Sequence, residues 1–158
     1  MNTTEGFLTL DKTVTLKPYI ARPFKQYSLM TEQELRDGAG GYLIVDTENY
    51  LNYYLIAFKN IATGKYFLLE PPFEPRLLSW IMHSYTTIGF NSLKYDCPLI
   101  WFSYYNQDLI ALKQASNELI SGIYLKEFES QHNIQIFGTS HVDLIEVAPL
   151  RGSLKLYG

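Results

Sequence analysis

Two acidic residues separated by a single position follow an apolar run in the first third of the chain. Residues 41–49 read GYLIVDTEN, so Asp46 and Glu48 come directly after the apolar part. Residues two apart in a strand point to the same face, which delivers both carboxylates to one spot. Two such groups repel each other and lose hydration there, and a bound divalent cation is the usual reason for the arrangement. The pattern predicts a metal site at the end of this strand.

A second stretch, Thr87–Ile100 (TIGFNSLKYDCPLI), carries a third candidate carboxylate. Its short strand ends near Asn91, and Asp96 opens the helix that follows. We expect this helix to return toward the end of the first strand, so that Asp96 meets the first two carboxylates. Three carboxylates would suit two Mg²⁺ or Mn²⁺ ions, which prefer oxygen ligands. Two such ions about 3.5–4 Å apart would activate an attacking water and stabilise the leaving oxygen in phosphodiester hydrolysis.

The elements that must position these residues follow from periodicity and turn residues. Thr31 and Glu34 form a capping-box pattern for a short helix through Asp37. Three strands are predicted as an antiparallel meander: Tyr42–Val45, Asn52–Lys59 and Tyr66–Leu69. The later elements are a helix over Pro75–Tyr85, a strand over Thr86–Phe90, helices from Asp96 and from 106–108 through Ser121, helical turns over Tyr124–Gln131, strands over Ile134–Phe137 and His141–Ile145, and a helix start at Gly152–Leu156.

This order predicts an α/β fold in which a mixed sheet carries helices on its faces. The domain is expected to span residues 41–158, and residues 1–40 are interpreted as an N-terminal extension. The length of 158 residues suits one domain with a core of useful size.

Composition excludes several classes of protein. The net charge of −3 and the pI of about 5.6 argue against tight, nonspecific DNA binding of the histone type. The single cysteine, Cys97, excludes an intramolecular disulfide and a cysteine-rich zinc site. The mean hydropathy is −0.08 and no apolar run reaches the length of a membrane span. We therefore expect a soluble intracellular protein, located in the cytoplasm and without a membrane partner.

The two acidic stretches together resemble a known family. Asp46-Thr47-Glu48 after an apolar strand is similar to the first motif of the DEDD 3′–5′ exonucleases. Gly89-Phe90-Asn91, followed by Tyr95-Asp96 and Pro98-Leu99, resembles the second motif in the form found in polymerase proofreading domains. His141–Leu144 resembles the strand after that motif, and Ser153–Lys155 the start of the next helix. The resemblance covers roughly residues 41–158.

The resemblance implies an RNase H-like fold and metal-dependent removal of nucleotides from a single-stranded DNA 3′ end. Asp46, Glu48 and Asp96 would be the catalytic metal ligands, for two Mg²⁺ or Mn²⁺ ions. Thr47, Leu51, Phe90 and Asn91 would lie close to the terminal nucleotide. The domain would belong to a DNA polymerase or to a stand-alone nuclease, and RNA or an RNA–DNA hybrid is an alternative substrate.

One departure from the family pattern limits this interpretation. The family needs a third motif with a fourth aspartate and a Tyr or His beside the attacking water, and that motif would fall after the helix expected near Ser153. The chain is therefore interpreted as truncated, with weak or no activity by itself. The alternative is a catalytically incomplete binding or scaffolding module that keeps the nuclease fold.

Each candidate residue also has a plainer interpretation. Asp46 and Glu48 are compatible with solvated positions at a strand–turn junction, and Asp96 with a helix cap. Asn91 is favoured as a turn residue, and Cys97 as a small buried residue. Three residues are candidates to replace the missing groups: His141 for the base, and Asp143 and Glu146 for the fourth carboxylate; a structural role is favoured for each of them.

Overall fold

A five-stranded mixed sheet forms the centre of the α/β fold. The computed structural model describes residues 27–148. The strands are β1 (Tyr42–Tyr50), β2 (Tyr53–Asn60), β3 (Tyr66–Leu69), β4 (Thr86–Gly89) and β5 (His141–Asp143). Their order across the sheet is β3-β2-β1-β4-β5. The first three strands are antiparallel, whereas β4 and β5 run parallel to β1, which confirms the predicted meander followed by parallel strands.

Six helices lie before, between or after these strands within the described residues. They are α1 (Glu32–Asp37), α2 (Pro75–Ser84), α3 (Asp96–Tyr105), α4 (Leu109–Ser121), α5 (Leu125–His132) and α6 (Leu144–Val147). The capping box of Thr31 and Glu34 is present at α1. Asp108 caps α4 by accepting from the backbone N–H of Ala111, and Gly122 ends that helix in the left-handed region at φ 89°. Such caps are local signals that can be read from the sequence of each helix end.

The core lies between one face of the sheet and helices α2, α3 and α4. Leu43 and Val45 from β1 and Tyr54, Ile56 and Phe58 from β2 are all buried on this face. Helices α3 and α4 contact β1, and α2 contacts β4. Fully buried side chains from the helices complete the cluster: Leu78, Ile81, Met82, Leu99, Ile100, Trp101, Leu112, Ala115 and Phe128. Burial of this apolar surface is the main stabilising contribution to the fold.

Part of the predicted N-terminal extension packs on this core. Met30 and Leu35 are buried in the central cluster. The hydroxyl of Tyr85 donates to the carbonyl oxygen of Leu35, and Met30 N–H donates to the carbonyl oxygen of Tyr66 at 2.7 Å. Residues 27–40 are thus attached to the sheet through both apolar and polar contacts. Residues 1–26, and the helix start predicted at Gly152–Leu156, lie outside the described residues.

Three predicted elements differ from the structure. β1 does not end at Val45 but continues to Tyr50, because its pairing with β2 extends to the Tyr50–Tyr53 pair beside the turn. The strand predicted over Ile134–Phe137 is wrong, since these residues have no strand partner and pack beside the core as irregular chain. The strand from His141 ends at Asp143, because Asp143 accepts the backbone N–H of Ile145 and caps α6.

Candidate functional site

The candidate site lies where β1 extends beyond β4. The parallel pairing of the two strands covers only Tyr42–Ile44 of β1 and Thr86–Ile88 of β4. From β1 the chain continues to β2 on one side of the sheet, whereas from β4 the next strand is β5 on the other side. A crevice at the carboxyl ends of parallel strands, where the order of connection reverses, is the usual ligand site of open α/β sheets. Asp46, Asp96 and the segment after β4 all lie at this end.

Asp46 and Glu48 lie on the same face of β1, as their spacing predicted, but within the strand and not at its end. Both are exposed, whereas Thr47 between them is buried on the core face. The β2 residues opposite them are Ala57 and Leu55, so the paired strand places no cation against either carboxylate. Although Asp46 is at the surface, neighbouring atoms remove part of its hydration; this loss, and secondly the charge of Glu48, raise the pKa of Asp46 above its ordinary value. The pair therefore concentrates negative charge at one exposed spot.

Asp96 reaches the same strand from the first turn of α3. It is 6% exposed, and its Oδ1 accepts two hydrogen bonds from Thr47, from the backbone N–H at 3.1 Å and from Oγ1–H at 2.6 Å. Burial raises the pKa of Asp96 to about 6; the Thr47 hydroxyl opposes this shift, and the charge of Asp46 adds to it. The N-cap of α3 is Tyr95, and no side chain caps this helix. The plain interpretation of Asp96 as a helix cap is therefore wrong.

The three carboxylates are near one another but do not form a closed cluster. Between residues 27 and 148, no three His, Cys, Asp or Glu side chains converge closely enough to hold a metal ion. In the same part of the chain, no Lys, Arg or His forms an ion pair with Asp46, Glu48 or Asp96. Mg²⁺ is commonly bound through one or two carboxylates and keeps several waters. Asp46 and Glu48 fit that mode, and Asp96 Oδ2 is outside the two bonds with Thr47.

The predicted nucleotide-contacting residues have different surroundings. Leu51 is 70% exposed in the turn after β1, and Asn91 is exposed with φ at 56°, in the left-handed region. Phe90 is half-buried and, with Asp46, lines a cavity of about 360 Å³ whose other walls are mainly aliphatic. Thr47 is buried and bonded to Asp96. Phe90 thus lies beside Asp46, whereas Leu51 and Asn91 are at the surface, and no hydrogen bond among the described residues joins either of them to the three carboxylates. Thr47 is on the core face, where it bonds Asp96.

Asp143 has a structural position beside this site. Its carboxylate accepts three backbone N–H groups, from Asn91 at 2.7 Å, Leu93 at 2.9 Å and Ile145 at 3.1 Å. These bonds hold the loop between β4 and α3 against the end of β5. Glu146, the other proposed substitute for the fourth carboxylate, is exposed on α6.

His141 belongs to a hydroxyl network on the core side of β4. Its Nδ1 lies 2.8 Å from Thr87 Oγ1 and its Nε2 2.7 Å from Ser92 Oγ. Burial lowers its pKa, although the charge of Asp143 opposes the shift. Gly89 is required beside this network, because a Cβ there would lie 2.4 Å from Ser92 Oγ. With both ring nitrogens engaged, His141 holds the loop and does not face the carboxylates of β1.

Cys97 and Tyr50 complete the account of the site. Cys97 is buried, and burial raises the pKa of its thiol to about 12, which confirms a packing role. Tyr50, at the end of β1, has no predicted role in the site, but its hydroxyl donates to Glu48 Oε2 at 3.1 Å. The signal that would have found this bond is the spacing itself, because Tyr50 follows Glu48 by two residues on the same face of β1.

Comparison with protein-family models, with curated proteins and with solved structures gave no match to the chain. Among residues 27–148, no helix has the length and apolar character needed to cross a membrane.

Proposed function

We propose that the chain is a metal-dependent 3′–5′ exonuclease domain of the DEDD type, which hydrolyses phosphodiester bonds at single-stranded DNA 3′ ends. The observation that carries the proposal is that Asp46 and Glu48 share one face of β1, while Asp96 is hydrogen-bonded to Thr47, the residue between them. Two of these groups have raised pKa values, and no cationic side chain of the described residues is paired with any of them. A site of this kind gains stability from a divalent cation.

The proposed chemistry assigns each residue a role. Asp46 and Glu48 would hold Mg²⁺ or Mn²⁺ on the exposed face of β1, with Asp96 completing the negative site from its edge. Two such ions, when bound, supply an activated water and stabilise the leaving oxygen. Thr47 keeps Asp96 at the strand through two hydrogen bonds. Phe90, Asn91 and Leu51 would contact the terminal nucleotide, either within a polymerase or in a stand-alone nuclease of the cytoplasm.

The first test measures Mn²⁺ binding and digestion together. The 158-residue chain is titrated with Mn²⁺ by calorimetry and then incubated with a labelled single-stranded DNA. We expect saturable binding and slow removal of nucleotides from the 3′ end only. Asp46→Ala should lose both while keeping the circular dichroism spectrum of the native chain. Absence of Mn²⁺ binding together with absence of digestion would contradict the proposal. Parallel digestion of matched RNA and RNA–DNA substrates identifies the preferred strand.

One observation favours a second candidate function, a non-catalytic binding or scaffolding module with a nuclease fold. Asp96 is already engaged by Thr47, and residues 27–148 contain no closed group of three metal-ligating side chains. This module would bind single-stranded DNA equally well in EDTA and in Mn²⁺, without cleavage. Metal-independent binding of a fluorescent oligonucleotide, unchanged by Asp46→Ala, would favour the module over the enzyme.

A further inference from the structure

A tyrosine on β1 is bonded to one of the candidate metal ligands. Tyr50 is the last residue of β1, and its hydroxyl donates to Glu48 Oε2 at 3.1 Å. The side chain of Tyr50 is 58% exposed, so core packing does not place its hydroxyl against the carboxylate. The bond thus joins the last residue of β1 to the carboxylate two positions before it.

The position of Tyr50 along β1 determines the side from which it approaches Glu48. Asp46, Glu48 and Tyr50 are successive residues on the same face, and residues two apart in a strand are separated by about 6.5–7 Å. Tyr50 therefore approaches Glu48 from the side opposite Asp46. Because the hydroxyl takes Oε2, the other oxygen, Oε1, is outside this bond.

We infer that Tyr50 is a positioning residue whose hydroxyl holds Glu48 in the orientation in which Glu48 and Asp46 share a divalent cation. The inference rests on the proposed function, because it assumes that these two carboxylates bind metal. A glutamate on an exposed strand face otherwise samples several rotamers, and ordering it on binding costs free energy. The Tyr50 hydroxyl orders the Glu48 side chain before the cation binds, so less free energy is lost on binding. Outer-shell hydrogen bonds act in this way at other metal sites.

The neighbouring strand offers a matched control. Tyr53 pairs directly with Tyr50 across the hairpin, and its hydroxyl donates to Glu70 Oε1 at 2.9 Å. Glu70 follows β3, on the far side of β2 from Asp46. Tyr50→Phe and Tyr53→Phe thus remove the same kind of bond from the same hairpin, but only the first one involves a candidate metal ligand.

The test compares Mn²⁺ dissociation constants of the 158-residue chain and the two variants by calorimetry. We expect Tyr50→Phe to weaken Mn²⁺ binding on the order of tenfold, the lower end of the range for outer-shell partners. Tyr53→Phe should stay within about twofold of the unsubstituted chain, because the Tyr53 hydroxyl bonds Glu70 and is affected by Glu48 only through its charge, without a hydrogen bond. Both variants should keep the thermal midpoint within a few degrees, which separates positioning from loss of folding.

A double-mutant cycle shows whether Tyr50 acts through Glu48. Glu48→Asp keeps a carboxylate but shortens the side chain, so the bond to Tyr50 is lost. Adding Tyr50→Phe to Glu48→Asp should therefore change Mn²⁺ affinity by less than about twofold. An additional tenfold loss would contradict the inference.

The outcomes distinguish this inference from the proposed function. If the unsubstituted chain binds Mn²⁺ and Tyr50→Phe binds it equally well, or if both tyrosine variants are weakened alike, only the positioning role of Tyr50 is overturned. If the unsubstituted chain binds no Mn²⁺ at all, the metal site fails, and the inference fails with it.

Discussion

Two buried aspartates at the same end of the sheet have opposite surroundings. Asp96 is 6% exposed and Asp143 is 4% exposed. Asp143 accepts three backbone N–H groups, divided between its two oxygens. Asp96 accepts its two bonds from Thr47 on a single oxygen, and the charge of Asp46 acts on it.

The difference indicates that the Asp143 carboxylate stabilises the fold, whereas the charged Asp96 carboxylate destabilises it. Backbone N–H groups that lose a buried acceptor are costly, so Asp143 stabilises the loop that it binds. Asp96 loses hydration and is repelled by Asp46, which raises its pKa to about 6. A buried acidic group that reduces stability at neutral pH is typical of a functional site. Burial alone does not distinguish the two, whereas the number and type of their donors does.

The largest expected effect comes from substituting Asp143, the aspartate that binds the backbone of the loop between β4 and α3. Asp143→Asn replaces one acceptor oxygen by an NH₂ group, which would face the backbone N–H of Leu93. We expect the free energy of unfolding to fall by about 2–3 kcal/mol, because a buried donor loses its partner. Urea unfolding at pH 7.5 measures the loss. Glu146→Gln, on the exposed side of α6, is the control, and an equal loss in that variant would contradict the assignment.

The second prediction has the opposite sign. Asp96→Asn keeps an oxygen that accepts from Thr47 but removes the charge, so we expect the free energy of unfolding to rise by about 1–2 kcal/mol at pH 7.5. A pKa raised from 3.8 to about 6 sets an upper limit of about 3 kcal/mol on the gain. Asp108→Asn, which preserves the cap of α4, should change stability by less than about 0.5 kcal/mol.

The gain from Asp96→Asn should depend on pH in a defined direction. Between pH 4 and 6 the unfolded chain releases the Asp96 proton while the folded chain retains it, so stability falls as the pH rises. The difference between the two proteins is therefore absent below pH 4 and complete above about pH 6. A constant difference from pH 3.5 to 8 would show that charge is not its cause.

A third substitution removes one of the two hydrogen bonds that Thr47 donates to Asp96. Thr47→Val keeps the backbone N–H but deletes the hydroxyl that lies 2.6 Å from Oδ1. We expect a loss of about 1.5 kcal/mol at pH 7.5, since hydrogen bonds to charged groups are worth about that much. The pKa of Asp96 should rise further, because the hydroxyl favours the charged form. Thermal unfolding at pH 5 and at pH 7.5 should show the larger loss at the higher pH.

The smallest expected effect comes from added metal. At ten times its dissociation constant, Mn²⁺ should stabilise the native chain by about 1.4 kcal/mol, by mass action. The same concentration should leave Asp46→Ala unchanged. Thermal midpoints in Mn²⁺ and in EDTA measure this, and equal stabilisation of both proteins would place the ion elsewhere.

Much of the fold was predictable because the signals are local. The three-strand meander, the capping box at Thr31 and the left-handed glycine at Gly122 depend on residues close in sequence. The common face of Asp46 and Glu48 follows from the period of a strand alone. Asp96 was predicted near these carboxylates because it opens the helix that follows β4, and the structure places it against Thr47 of β1.

The remaining features depend on contacts between distant residues. The Thr47–Asp96 bonds join positions 49 apart, and the Asn91–Asp143 bond joins positions 52 apart. The true length of β1 depends on how far β2 pairs with it, and no pattern within residues 42–50 limits that pairing. The same lack of a partner explains Ile134–Phe137, whose alternation suits a strand but which no strand pairs with among the described residues.

The extension of β1 beyond β4 also bears on how the chain stays separate from its neighbours. Residues 45–50 pair with β2 on one side, and the described residues place no strand on the other. A backbone edge of this kind is a template for strand addition by another molecule. Asp96 takes the Thr47 N–H that an incoming strand would use, and it presents a carboxylate in place of a carbonyl. The same side chain that is proposed for metal binding thus also occupies one backbone donor that strand addition at this edge would need.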